Sequence, residues 1–341
     1  MADDTPASWR DGLRDGSDSL YAELERPPAD PRAVPQYRTL TYEVTDRIAR
    51  ITFNRPERGN AITVDTPVEL ADCVERADLD PGVHVMVVSG RGAGFCGGYD
   101  LEIFAENNFD HENQNTHDTV GTVLDASVQA RNHDPSRVWD PMVDYAMMSR
   151  FNRGFASLLH ANKPTVAKLH GFCIAGGTDI ALYCDQIVAA DDTKIGYPPT
   201  RVWGVPAAGM WAHRLGDQRA KRLLLTGDSI SGAQALEWGL VIDAPPPSEL
   251  DQRTEDLLAR IAALPINQLM MVKLALNSAL IAQGVGNSTM VGTVFDGIAR
   301  HTREGYSFPA RAAEVGFREA VRVRDEPFGD YRRTQPGAGK P

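Results

Sequence analysis

The stretch Gly171–Asp185, GFCIAGGTDIALYCD, follows Lys163–His170, KPTVAKLH, and its reading decides the rest. TVAKLHG reads as a short buried strand and GGTDIALYC as the helix that follows it. Between them lies almost bare backbone, and one acid, Asp179, falls just inside the helix. The first N–H groups of a helix lack intrahelical partners and sit at its partially positive end. Glycine lets a ligand approach them closely. A second stretch, Val87–Leu101, VVSGRGAGFCGGYDL, repeats the plan of strand, glycine-rich turn and helix opening. Two N–H groups converging on one point make an oxyanion hole. Glycines that only permit tight strand–helix packing would leave the same letters. Spacing alone keeps both readings open.

Working outward, strands alternate with helices and then give way to helices. Thr39–Pro56 reads as a two-stranded hairpin, TPVELADCVERADLD as a helix, and VHVMVVSG as a buried strand. YAMMSRFNRGFASLLHANK is a helix and QIVAAD a strand. From Pro206 onward the pattern is helical, ending in an amphipathic run at Ala310–Val323. The expectation is an α/β fold with a helical extension. Residues 1–37 read as a flexible, proline-rich arm, 38–245 as the core, 246–325 as the helical region and 326–341 as a flexible tail. Within the core, 106–141 is a long polar insertion without clear period, of the kind that forms walls or lids.

Composition narrows the function. The chain of 341 residues is 42% hydrophobic, enough for one substantial core, and its formal charge of −11 argues against general binding to nucleic acid or membrane surfaces. Cys73, Cys96, Cys173 and Cys184 are scattered without a CxxC pair, which fits a reducing cytoplasm. The opening residues lack a signal-peptide pattern, and no run reaches membrane-spanning length, so the expectation is a cytoplasmic protein. Gly92–Gly97 is formally G-x-G-x-x-G, but a polar insertion follows where a dinucleotide site needs a second strand ending in an acid. The acids and histidines of DHENQNTHD, Asp110–Asp118, lack the spacing of a zinc motif, so no metal is assigned. His170 reads as a structural hydrogen-bonding residue, and Tyr183 and Cys184 as core.

Four stretches in order and in register resemble the enoyl-CoA hydratase/isomerase (crotonase) superfamily: ITFNRPERGNAIT, VVSGRGAGFCGGYDL, KPTVAKLHGFCIAGGTDIALYCDQIVAADDTKIGYP and GDQRAKRLLLTGDSISGAQALEWGLV. The likeness runs from Thr39 to Val241, with a helical continuation to Arg324. It implies a crotonase-like spiral of ββα units with a C-terminal helical trimerisation region, assembled as a homotrimer or a dimer of trimers. It also implies an acyl-CoA thioester substrate and no separate cofactor, CoA being part of the substrate. Carried over by position, the two oxyanion N–H groups fall on Tyr99, after Gly98, and on Gly176, beside Gly177. Asp100, Leu101 and Glu102 would line the acyl entrance, with Tyr197 and Trp203 close to the reacting group. Arg58, Ala61 and Lys273 would meet the CoA moiety.

The match fails at one informative place. Hydratases of the family use two glutamates on water. The first position here is Asp179, and the second is Pro199, which has neither an acid nor an N–H. One carboxylate suffices to carry a proton between carbons, whereas hydration needs a further group. The expected function is therefore an acyl-CoA enzyme of hydratase/isomerase type, working through a thioester enolate and Asp179 on something other than a plain straight-chain enoyl-CoA. The alternatives are a C–C bond hydrolase of a cyclic β-diketone, using His111 or His117, and a non-catalytic acyl-CoA-binding homologue.

Overall fold

The computed structural model describes residues 34–104, 119 and 121–329. Its main sheet contains β1 (Leu40–Thr45), β2 (Ile48–Phe53), β3 (Val85–Gly90), β4 (Thr165–Leu169) and a strand at Gln186–Ala189, in that spatial order. The first pair is an antiparallel hairpin and the others run parallel, with Ile51 beside Val88 and Val88 beside Ala167. A second sheet joins β5 (Phe172–Ile174), β7 (Lys194–Gly196) and β8 (Ser229–Ile230); the Gln186–Ala189 strand is β6.

Period-two alternation explains why β3 is apolar throughout. Met86 and Val88 face the larger core, while Val85 and Val87 face a smaller one with Val166 and Val188. The larger face is covered by α1 (Thr66–Leu79) and later helices, which follow in chain order as α2 (Leu101–Phe104), α3 (Ala126–Asn132), α4 (Pro141–His160) and α5 (Gly176–Ala181). Then come α6 (Trp211–Leu224), α7 (Gly232–Trp238), α8 (Leu250–Ala262), α9 (Ile266–Ala282), α10 (Val285–Arg300), α11 (Arg303–Val315) and α12 (Phe317–Asp325). Leu250, Leu258 and Ala262 of α8 close the smaller face. A sheet buried on both sides is what continuous apolar strands require.

Local chemistry sets the helices that frame the site. Asp140 caps α4 by accepting from the Met142 amide at 2.9 Å, and Pro141 occupies the first turn, where its missing N–H costs nothing. Gly154 lets α4 press onto α1: a Cβ there would lie 2.4 Å from the Pro67 carbonyl oxygen. Asn152 of α4 then ties in α10 through Thr293 Oγ1 at 2.6 Å.

Several expectations change. Part of the expected polar insertion is helical, α3 and the start of α4. Residues 105–118, with His111 and His117, lie outside the described residues, as do 1–33 and 330–341. The expected tail begins as a 3-10 turn at Glu326–Phe328. The last amphipathic run is two helices, because Gly316 breaks it at φ 81°. Among the described residues no single helix is long and apolar enough to cross a membrane.

Candidate active site

The two glycine-rich turns lie side by side. Cys96 bridges to Cys173, and the Ile174 amide donates to the Cys96 carbonyl at 3.0 Å. Beyond this bridge the first turn reaches Gly98 at φ 97°, a conformation open to glycine. A Cβ on Gly98 would lie 2.8 Å from the Ala175 Cβ and 3.4 Å from the Gly176 nitrogen. The absent side chain is thus what allows the first turn to stand against the amide that opens α5.

Among the described residues neither amide has an acceptor, and their directions follow from their neighbours. Tyr99 bridges to Ile62 through flanking peptides: Ile62 N–H donates to Gly98 O at 2.8 Å, and Asp100 N–H to Ile62 O at 3.0 Å. Strand alternation therefore turns the N–H of Tyr99 to the opposite edge, the side of β5 and α5. Ala175 has the unusual pair φ 52°, ψ −124°, and its carbonyl accepts from Thr178 N at 2.8 Å and Thr178 Oγ1 at 2.6 Å. These bonds fix the peptide plane, so the Gly176 N–H points the other way. A positive φ at a non-glycine costs about 1–3 kcal/mol and collects at functional sites. Neither amide donates to a carbonyl elsewhere among the described residues.

Asp179 has no exposed surface. Its Oδ1 accepts from the Ala208 amide at 3.4 Å, and its Oδ2 is buried with no partner among the described residues. Burial raises its carboxyl well above the usual range; the Ala208 amide opposes this and the charge of Asp296 adds to it. The helix-dipole effect, which would hold the acid low, loses to desolvation. The Tyr99 ring packs edge-on against Phe151 at 5.5 Å and Phe104 at 6.1 Å, and its hydroxyl is likewise buried and unpaired. A Cβ on Gly176 would lie 2.8 Å from the Tyr99 ring. Tyr197 donates to the Val205 carbonyl at 3.2 Å, and burial, with Asp179 and Asp296, raises both tyrosines.

Other expected site residues are placed differently. Lys273 is buried, with its ammonium on the Leu158 and Lys163 carbonyls at 2.9 and 3.0 Å and on Asp185 at 2.9 Å. It is fully engaged inside the fold and is not placed to meet a nucleotide. Asp100 is buried in an ion pair with Arg55 at 3.0 Å, not open at an entrance. Gly177 is a packing position, since a Cβ would lie 2.5 Å from the Cys96 carbonyl. Arg58 is half-exposed and pairs with Glu102, while the Ala61 carbonyl accepts from Arg55 at 2.7 Å. Leu101 and Trp203 join the cluster formed by α11 and α12. Pro199 serves its own turn: its carbonyl accepts from Trp203 and Gly204 at 3.1 and 2.9 Å. His170 bonds the Gly92 carbonyl at 2.8 Å, the structural role expected of it.

Sequence reasoning missed Asp296 of α10. It is nearly buried, accepts from the Val205 amide, and pairs with Arg300 at 3.3 Å. Burial raises its carboxyl, with Arg300 opposing. Its helical register resembles any surface acid, so no local signal marks it.

Comparison with known proteins identifies the family. The model of the enoyl-CoA hydratase/isomerase family matches residues 43–129 and 141–307. A crystal structure of an enoyl-CoA hydratase from Mycobacterium smegmatis is 67% identical, superimposes with a TM-score of 0.80, and covers 86% of this chain and 95% of that one. A 1,2-epoxyphenylacetyl-CoA isomerase of Escherichia coli is 27% identical over 68% of this chain and 79% of its own. A hydroxycinnamoyl-CoA hydratase-lyase of Pseudomonas fluorescens is 27% identical over 65% of this chain and 72% of its own.

Proposed function

Given that the chain belongs to the enoyl-CoA hydratase/isomerase (crotonase) family, and so is an acyl-CoA enzyme of that type, we propose that its thioester oxygen binds between the Tyr99 and Gly176 amides while Asp179 moves a proton on the acyl group. The observation that carries this reading is that, among the described residues, the buried Oδ2 of Asp179 and the Gly176 amide of the same helix both lack a partner. An unsatisfied buried polar atom costs about 1–3 kcal/mol, so its persistence calls for a ligand. Bringing negative charge onto the thioester oxygen strengthens both amide bonds as the enolate forms. In double-bond migration Asp179 takes a proton from the γ carbon and returns it to the α carbon, while the electron pair rests on the oxygen in between. A raised carboxyl makes the charged form a stronger base and the neutral form available as the returning acid.

The aromatic wall of Tyr99, Phe104 and Phe151 supports a bulky acyl group over a plain straight chain. The names of relatives acting on aromatic acyl-CoAs agree with this. Assembly of several copies is supported by α9 and α10, which leave Met271, Leu274, Leu276, Val291, Val294 and Phe295 exposed. The test is a panel of straight, branched and aromatic enoyl-CoAs, followed for loss or migration of conjugation. Turnover that Asp179→Asn abolishes, with CoA binding retained, is expected. Unchanged turnover in that variant would remove the role of the carboxylate.

A further inference from the structure

Resting on that reading, we propose that Asp144, His301 and Tyr306 form the base that activates water for addition to the enoyl group, supplying from α4, the end of α10 and α11 what Pro199 cannot.

The three side chains are joined directly. Asp144 Oδ2 accepts from Asn132 Nδ2 at 3.0 Å and Trp139 Nε1 at 2.7 Å, and lies 2.9 Å from His301 Nε2. His301 Nδ1 lies 2.9 Å from the Tyr306 hydroxyl. Asn132 and Trp139 can only donate here, so Oδ2 is an acceptor and His301 presents Nε2–H to it. Its Nδ1 is then the lone pair that takes the Tyr306 proton. A nucleophile-bearing hydroxyl, a base, and a carboxylate orienting that base are the three parts of a proton-withdrawing array. Trp139 stacks on His301 at 4.5 Å and His133 on Tyr306 at 4.8 Å, which holds both rings in place.

The array shares α4 with the aromatic wall of the proposed acyl site. Asp144 stands on α4 seven residues before Phe151, whose ring touches Tyr99. Arg300, next to His301, reaches Met148 Sδ at 3.0 Å and Asp296 at 3.3 Å. On the other side His133 stands 6.5 Å from Trp203, on the segment that follows Pro199.

The step balances. Water gives a proton to the Tyr306 oxygen as Tyr306 gives its own to His301 Nδ1. The water oxygen bonds to the β carbon, and the C=C electron pair moves onto the thioester oxygen between the two amides. The enolate then takes a proton at the α carbon from neutral Asp179; His301 gives its proton to solvent, and Asp179 regains one when product leaves and water enters the site. Asp144 stabilises the imidazolium. The groups facing His301 are Asp144, Arg300, His133 and Tyr306; Asp134 also acts on Tyr306. Burial lowers His301 below its usual value, with Asp144 opposing, which favours the neutral imidazole.

The experiment compares hydration of an aromatic enoyl-CoA with exchange of α hydrogens of the saturated acyl-CoA in deuterium oxide. Tyr306→Phe and His301→Gln are expected to lose about 10²–10⁴-fold in hydration and to keep the Asp179-dependent exchange. The acid limb of the wild-type hydration profile, set below pH 6.5 by His301, should vanish in Tyr306→Phe. Hydration at the wild-type rate in Tyr306→Phe, or a wild type that exchanges but never hydrates, would overturn the array alone. Absence of both reactions in the wild type would overturn the acyl-CoA reading and the array with it. Should His301→Gln fail to fold, Tyr306→Phe, which removes a single oxygen from a half-buried residue, still decides.

Discussion

Asp179 and Asp296, far apart in the chain, are seated on one loop: the Ala208 amide reaches Asp179 Oδ1 at 3.4 Å, and the Val205 amide donates to Asp296. The loop is itself pinned, with the Ala207 carbonyl on Asn152 and the Ala208 carbonyl on Thr289. The two carboxyls therefore cannot drift apart, and the charge of one opposes ionisation of the other. Asp296→Asn should move the Asp179-dependent limb of the pH–rate profile to lower pH. A limb that stays in place, measured by exchange of α hydrogens, would separate the two groups.

Stability should show the same burial. The raised carboxyl of Asp179 binds its proton more tightly in the folded chain than in the unfolded one, where the value is about 3.9. Folding then loses stability as pH rises from about 4 toward the folded value, by linkage. Asp179→Asn removes this loss, so its melting temperature should exceed the wild type's at pH 7 and the gap should close at pH 4. Equal melting curves at pH 7 would contradict the buried-acid account.

The glycines make a graded series. Gly98→Ala places a Cβ against Ala175 at a positive φ and beside the Gly176 amide, and should cost about 10²–10³ in kcat by disturbing one donor pair. Gly171→Ala would put its Cβ 1.9 Å from the Ala93 carbonyl and should prevent folding. Gly286→Ala, an exposed helical position with nothing near it, should stabilise by up to about 1 kcal/mol. Circular dichroism and turnover on the three variants check the order.

The four cysteines are free and buried, and burial pushes Cys73, Cys96 and Cys184 up to about 12. Since the thiolate is the reactive form, none should react with a thiol reagent until the chain is unfolded. Labelling of the native protein at pH 8, read by mass, checks this.

Much of this architecture was legible along the chain. Val85–Val88 is continuously apolar, which marked a buried strand, and the glycines around Gly98 and Gly176 marked the two turns. The second sheet was not legible, since strands of two and three residues such as Ser229–Ile230 and Phe172–Ile174 are too short to show a period. The place of Lys273 beside CoA came from the resemblance by position, and only the fold brings the Leu158 and Lys163 carbonyls around its ammonium. The Asp144–His301 pair joins groups 157 residues apart, and Asp296 is buried against the Val205 segment; neither contact leaves a local pattern.

Copies of this chain should associate through α9 and α10. Phe295→Asp, placed on the exposed apolar face, should shift the mass measured by light scattering to that of one chain. An unchanged mass would locate the contact elsewhere.

The most direct measurement is a crystal structure with an unreactive acyl-CoA bound. The thioester oxygen should lie about 2.7–3.2 Å from both the Tyr99 and Gly176 nitrogens, with Asp179 Oδ2 facing the acyl carbons. An oxygen that meets neither nitrogen, or amides turned to other partners in the complex, would contradict the account.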